Sequence, residues 1–292
     1  MPLTICRVED PAEFADLASP YLLQNEARHN LELGILDRLR DDPSAVGDEP
    51  AHLAAALHGA DVVGIAMRTP PHNLLLSAAD PAAIPPLADD LRERFEQLRG
   101  ILSDPPTAAA FAARWGELTG QEATPGMPQR IYELTRAPDQ PDAPGRYRIA
   151  RHRDRDLLVR WIEEFTAEAV PDQAGDDVER FVGRRLDAGG RSFVLWEDGE
   201  PVSLAGVGAF TPNGARIGPV YTPPAVRGRG YAAAVVARLC RDLLESGRRF
   251  CFLFTDRRNA TSNRLYVRLG YEPVCDIQEV RFSEAPAGPP SR

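Results

Sequence analysis

The sequence contains no lysine; all 34 of its basic residues are arginine. That absence removes whole reaction classes. Schiff-base and pyridoxal-phosphate chemistry needs a lysine amine as nucleophile, and a Walker-type loop needs a lysine on the phosphates. Cysteine is scarce. Cys6, Cys240, Cys251 and Cys275 form no Cys-x-x-Cys pair, and three lie in apolar or strand-like surroundings, so they read as reduced core thiols. The histidines at 29, 52, 58, 72 and 152 lack metal-ligand spacing, and no metal is expected. No apolar run approaches the length of a membrane span, and the N-terminus MPLTICRVED lacks the basic and apolar regions of a signal peptide. A cytoplasmic protein without a membrane partner is expected.

What is present suits a globular chain. Its 292 residues are 43% hydrophobic and 26% charged, enough for one large core or two of ordinary size. The net charge of −9 disfavours nucleic acid as a partner. The charge is unevenly spread: residues 1–145 hold 11 arginines against 23 acids, the remainder 23 against 20. A mildly basic half beside an acidic one fits an anionic cofactor site, and equally fits two halves with different surfaces.

The segment APDQPDAPG after Arg136 interrupts every pattern, and separates 1–137 from 146–283 by a linker over 138–145. The Pro/Gly-rich tail 284–292 reads as disordered. The two halves share one order of elements. Each opens with a short strand (ICRV; YRIA) and an amphipathic helix, carrying Phe14, Leu17, Tyr21 and Leu22 in the first half and Leu157, Leu158, Trp161, Ile162 and Phe165 in the second. A hairpin follows, turning at Gly59-Ala60-Asp61 or at Asp198-Gly199. Each half then adds a strand, a helix (about 84–99; 230–246), another strand, a short helix ending at Gly120 or Gly270, and a final strand (RIYEL; QEVRF). The expectation is a duplicated α+β unit.

The informative stretch is GPVYTPPAVRGRGYAAAVVARLCRDLLESG, residues 218–247. A strand ends at Pro223-Pro224, where proline offers no N–H. Arg227-Gly228-Arg229-Gly230 leads directly into helical spacing of Val235, Val236, Leu239, Cys240, Leu243 and Leu244. A helix N-terminus exposes unpaired N–H groups and a positive dipole end, glycines let an oxygen approach the backbone, and arginines add fixed charge. The layout suits phosphate. Its glycine spacing is not that of the dinucleotide fingerprint.

A buried strand FCFLFTD and the run NATSNRLYVRLGY follow. Here the sequence resembles the GNAT superfamily of N-acetyltransferases. The family's signature Arg/Gln-x-x-Gly-x-Gly/Ala matches Arg227 through Ala232, and Asn259, Ser262, Tyr266, Gly270 and Tyr271 match its second motif. The resemblance implies two GNAT-like mixed-sheet domains in tandem, of α+β class, with acetyl-CoA as co-substrate. It implies that Val220, Tyr221 and Thr222 pair with the pantetheine arm as a strand would. It also implies that Arg227, Gly228, Arg229, Gly230, Tyr231 and Ala232 cradle the pyrophosphate, and that Asn259 contacts the pantetheine chain. Tyr266 matches the tyrosine that protonates the departing thiolate. Direct attack by an amine passes through an oxyanion, which a backbone N–H near Tyr221 would stabilise.

Many relatives place a general base on the strand before the cofactor loop, but ARIGPVYT has no acid. Glu164, Glu168, Asp256, Glu279 and a water chain stay open for that role. The first half has no glycine or arginine in the matching ADPAAIPP segment, and Trp115 stands near the tyrosine position, so it reads as a degenerate copy. Its polar group Glu26, Arg28, His29 and Asn30 is read either as lining an acceptor cleft or as a solvated helix face. The resulting expectation is direct acetyl transfer to a small-molecule or peptide amine. The alternatives are an amino-acid N-acyltransferase with a larger acyl group and a non-catalytic acyl-CoA sensor.

Overall fold

The computed structural model describes residues 3–42, 49–78, 80–170, 177–188 and 191–283. They divide into two compact units: unit 1 comprises 1–131 with 274–292, and unit 2 comprises 132–273.

Unit 1 contains β1 (Leu3–Arg7), α1 (Pro11–Leu22), α2 (Asn30–Asp41), β2 (His52–His58), β3 (Asp61–Arg68), β4 (Leu74–Ala78), α3 (Ile84–Arg94), β5 (Gly100–Ser103) and α4 (Pro105–Thr119). Helix starts are written in the sequence. Asp10 accepts the Ala12 N–H at 2.7 Å before Pro11, and Asp104 accepts from Thr107 at 3.3 Å before Pro105. The sheet runs β1-β2-β3-β4-β5. The unbroken apolar run in β2 reflects cover on both faces. Leu53 and Ala55 pack with Phe14, Leu22 and Leu36 of α1 and α2, whereas Ala54 and Ala56 pack with Leu87, Leu91 and Phe111 of α3 and α4.

Unit 2 begins within β6 (Ala123–Leu134). It continues with β7 (Arg146–Ile149), α5 (Arg155–Ala169), α6 (Val178–Asp187), β8 (Phe193–Asp198), β9 (Glu200–Phe210), β10 (Gly214–Tyr221), α7 (Tyr231–Glu245), β11 (Phe250–Asp256) and α8 (Ala260–Arg268). Its strand order is β6-β11-β10-β9-β8-β7. Alternation again sorts the faces. Phe193 and Leu195 pack with Trp161 and Val182 under α5 and α6, while Val194 and Trp196 join Val235 and Leu239 of α7.

The units do not follow the sequence halves, because each half's last strand contributes to the other unit's core. From Val274 on, β12 (Glu272–Phe282) lies in unit 1, antiparallel to β5 with Val280 opposite Ile101. Val280 and Phe282 fill the unit 1 core beside Trp115; Tyr132 and Leu134 of β6 fill that of unit 2. The segment 138–145 is no loose tether either. Arg241 donates to Pro138 O at 2.6 Å, Gln140 to Ala234 O at 3.2 Å, and the Trp196 indole to Pro144 O at 2.7 Å, all within unit 2. Helices α2 and α6 have no counterpart in the expected element order. The tail 284–292 lies outside the described residues.

One buried acid gives unit 1 a pH dependence. Glu32 on α2 is 8% exposed, and burial pushes its carboxyl up to about 7, with Arg28 pulling the other way. A raised native pKa means that the folded state holds the proton more tightly, so its contribution is complete below the ordinary value of 4.5 and is lost as pH rises through about 7. Glu32→Gln should therefore stabilise the protein against urea at pH 8, by up to about 3 kcal/mol, and make little difference at pH 4. Equal gains at both pH values would show that burial of the charge is not the cause.

Candidate functional site

The site grows from a break in the unit 2 sheet. β10 and β11 run parallel and pair at Gly214–Arg216 with Phe250–Phe252, and the pairing goes no further. On its other side β10 stays joined to β9, with register shifts flanking Ile217 and then Val220 opposite Ala205 and Tyr221 opposite Leu204. The far end of β10 therefore offers peptide groups on the β11 side that no strand among the described residues satisfies, a gap able to accept an extended amide chain by strand-like pairing. Ser203, fully buried on β9, steadies this end: its hydroxyl lies 3.2 Å from Tyr221 O and 2.8 Å from Thr222 Oγ1. Sequence reading passed Ser203 by; its only signal was a hydroxyl inside an apolar strand.

The loop after β10 meets α7 at Gly230, whose φ of +84° suits glycine. Among the described residues no side chain caps the helix there, which leaves its first turn open to an anion. Arg227, Gly228, Arg229 and Gly230 are all exposed. Gly228, at φ +80°, has nothing within 4 Å of where a Cβ would stand. Ala232 is half-buried, and Tyr231 is turned away, its ring buried and its hydroxyl donating to Asp198 at 2.5 Å. Arg227 donates from Nε to Thr222 O at 2.8 Å, and its guanidinium carbon sits 5.7 Å from the centre of the Tyr221 ring.

Two faces of the sheet meet at this end. Val220 packs against the cluster that contains Tyr266, Leu269, Tyr271 and the α7 residues. Tyr221 points to the opposite face, with its ring 6.3 Å from Trp161 of α5. Burial, followed by the carboxylate of Glu164 nearby, pushes the Tyr221 phenol up to about 12. Asn259 opens α8, its Oδ1 accepting the Ser262 N–H at 3.0 Å, which leaves the amide hydrogens available. Tyr266 is 8% exposed and stands edge-on to Tyr271 at 5.6 Å. Tyr271 is engaged with Cys240 Sγ at 3.0 Å, whereas the Tyr266 hydroxyl has no hydrogen-bond partner among the described residues. Burial raises its pKa, so it stays protonated across the neutral range.

The candidate bases separate. Asp256 is paired with Arg258 at 2.9 Å, and that partner holds it below the ordinary carboxylate range, making it a weak base. Glu279 lies in unit 1, where it accepts from the Met127 N–H at 3.1 Å and from Asn73 at 3.2 Å. Glu168 is bound by Arg227 at 2.7 Å. Glu164 is left beside Tyr221.

The matching place in unit 1 is built shut. β4 and β5 pair at Leu74–Leu75, and beyond that the Ser103 hydroxyl donates to Leu76 O at 2.6 Å. At the helical turn before α3, Asp80 accepts the Ala82 N–H at 2.9 Å, placing a carboxylate where a phosphate would have to bind. Trp115 is fully buried, its indole donating to Gln121 at 2.8 Å. The polar group at 26–30 lies in and just after the turn between α1 and α2 and is largely internal. His29, 4% exposed, bonds Leu22 O and the Ser77 hydroxyl, each at 3.0 Å, and Asn30 donates to Ala27 O. Arg28 pairs with Asp104 at 2.9 Å. These contacts are those of a structural cluster rather than of a solvated helix face.

Among the described residues, no group of His, Cys, Asp and Glu could hold a metal ion, and no helix is long and apolar enough to cross a membrane. Comparison with known proteins points to one family. Residues 155–271 match the sequence model of the acetyltransferase (GNAT) family. Solved structures with a similar fold include a GNAT-family acetyltransferase from Colwellia psychrerythraea (12% identity, 96% of this chain and 100% of that one, TM-score 0.62). A GCN5-related N-acetyltransferase from Sphaerobacter thermophilus is 16% identical over 95% of each chain, with a TM-score of 0.60. A tandem GNAT protein from the clavulanic acid biosynthesis pathway is 16% identical over 99% of this chain and 100% of that one, with a TM-score of 0.59. At these identities the likeness is one of fold: two GNAT-like α+β units in tandem. No curated protein matches the chain in sequence.

Proposed function

We propose that this protein, whose residues 155–271 match the GNAT acetyltransferase family model, transfers the acetyl group of acetyl-CoA directly to an amine, at a single site in unit 2. The observation that carries the reading is the parting of β10 from β11 directly before an uncapped helix N-terminus. The gap matches an amide-bearing pantetheine arm, and the loop from Arg227 to Ala232 matches a pyrophosphate. Val220, Tyr221 and Thr222 supply the strand edge, and Asn259 an amide for the same arm. A peptide N–H at Val220 or Tyr221 stabilises the oxyanion formed when the amine attacks, and Tyr266 gives its proton to the leaving thiolate. Unit 1, with Asp80 and Ser103 filling the equivalent positions, binds no CoA.

Calorimetry with CoA tests the donor half of the reading, and one equivalent per chain is expected. Gly230→Val should fold, since a Cβ there meets nothing nearer than Ala143 Cβ at 3.7 Å and Asp142 O at 3.8 Å. The positive φ costs about 1–2 kcal/mol. CoA affinity should fall at least tenfold, equivalent to about 1.5 kcal/mol for one lost hydrogen bond to a charged group. Two equivalents per chain would mean that unit 1 also binds. Thiol release from acetyl-CoA across a panel of amines tests the chemistry. Tight CoA binding without release to any amine would make the protein a sensor.

A further inference from the structure

The guanidinium of Arg227 is already engaged by an anion that belongs to the protein. Its Nη2 reaches both carboxylate oxygens of Glu168, at 3.0 and 2.7 Å, while Nε is held by Thr222 O at 2.8 Å. Of the five N–H donors of an arginine, those on Nη1 alone lack a partner among the described residues. Both members of the pair are about half exposed, at 46% and 48%.

Glu168 is in a poor place for the sake of its own helix. It is the next-to-last residue of α5, where the negative end of the dipole disfavours a carboxylate, and no basic residue stands in that last turn to offset it. One turn earlier is Glu164, a like charge at the i, i+4 spacing that destabilises a helix. Glu168 is held by a group from the candidate donor site, Arg227, and Glu164 lies near Tyr221. Helix stability does not account for Glu168, but occupation of Arg227 does.

We infer that Glu168 is an internal competitor for Arg227, a carboxylate that a phosphate of the donor must displace, and so a residue that sets donor affinity. The inference rests on the reading of residues 227–232 as the pyrophosphate cradle. An exposed pair is weak and screened by salt, so a doubly charged pyrophosphate replaces it readily. The effect is to lower affinity without blocking binding. Because Glu168 is on α5 and Arg227 in the loop before α7, the exchange also unties the helix from the loop whenever the donor binds.

The test uses the full chain, calorimetry, and two probes: CoA, and pantetheine, which lacks the pyrophosphate. Glu168→Gln is expected to bind CoA about two- to fivefold more tightly than the parent at low salt, the range of an exposed ion pair, with the gain shrinking as salt rises. Pantetheine affinity should not change. Arg227→Gln should weaken CoA, and on that background Glu168→Gln should have no further effect on binding. Unchanged or weakened CoA binding by Glu168→Gln would overturn the inference and make Glu168 a support that orients Arg227. Failure of both the parent and Glu168→Gln to bind CoA would overturn the donor reading itself, and this inference with it.

Discussion

Tyr266→Phe should bind CoA as the parent does and turn over about 10²-fold more slowly, the scale of positioned general acid catalysis. The expectation depends on what the substitution leaves intact. The Tyr266 ring is held by packing, edge-on to Tyr271 and among the α7 side chains, and phenylalanine keeps every such contact. The hydroxyl has no partner among the described residues, so its removal orphans no neighbour and stability should change by less than about 1 kcal/mol. Only the proton is lost. Its pKa is raised by burial, so the parent phenol is a fully protonated donor across the neutral range. The pH profile of the parent should consequently show no loss of activity from Tyr266 ionisation between about pH 6 and about pH 9. A thioester with a more acidic thiol leaves with less help, and the penalty of the phenylalanine should shrink with it. Equal turnover by parent and variant on a true substrate would reduce Tyr266 to a core residue.

The parts of this molecule that were legible in its sequence are those set by local physics. The turn at Asp198-Gly199 has Gly199 at φ +74°, and the helix forecast for 230–246 spans Tyr231–Glu245 with Gly230 in the left-handed conformation that a non-glycine residue resists. The segment ADPAAIPP has no glycine and no arginine, and at that turn the Asp80 side chain accepts the Ala82 N–H. What escaped reading depends on partners far away in the chain. Strand alternation in QEVRF tells which side chains share a face, but not which sheet accepts the strand, so the exchange of β6 and β12 was invisible. Glu168 looked like one acid among several on α5. Its significance comes from Arg227, 59 residues later, and no spacing rule links the two.

That exchange of strands predicts the largest effect of all. Cutting the chain at its apparent linker, into 1–137 and 146–292, should leave two fragments that each fail to fold alone. The second loses Tyr132 and Leu134, which are 4% and 2% exposed in the unit 2 core, together with the strand that carries them beside β11. It loses as well the 138–145 segment, whose carbonyls accept from Arg241 and Trp196 and whose Gln140 side chain donates to the Ala234 carbonyl. Burying two such side chains is worth about 1.5–3 kcal/mol each, against a total stability of about 5–15 kcal/mol for a domain. The first fragment loses Val280 and Phe282 from the unit 1 core in the same way, along with the ladder from Gln278 to Arg281 against β5. A cut that respects the compact units should behave differently. The piece 121–273 retains β6, every strand of unit 2 and the whole donor site, and should fold and bind CoA. Circular dichroism and CoA calorimetry on the two C-terminal pieces decide the matter. A well-folded, CoA-binding 146–292 would mean that Tyr132 and Leu134 are dispensable to unit 2, and that the sequence halves are themselves the folding units.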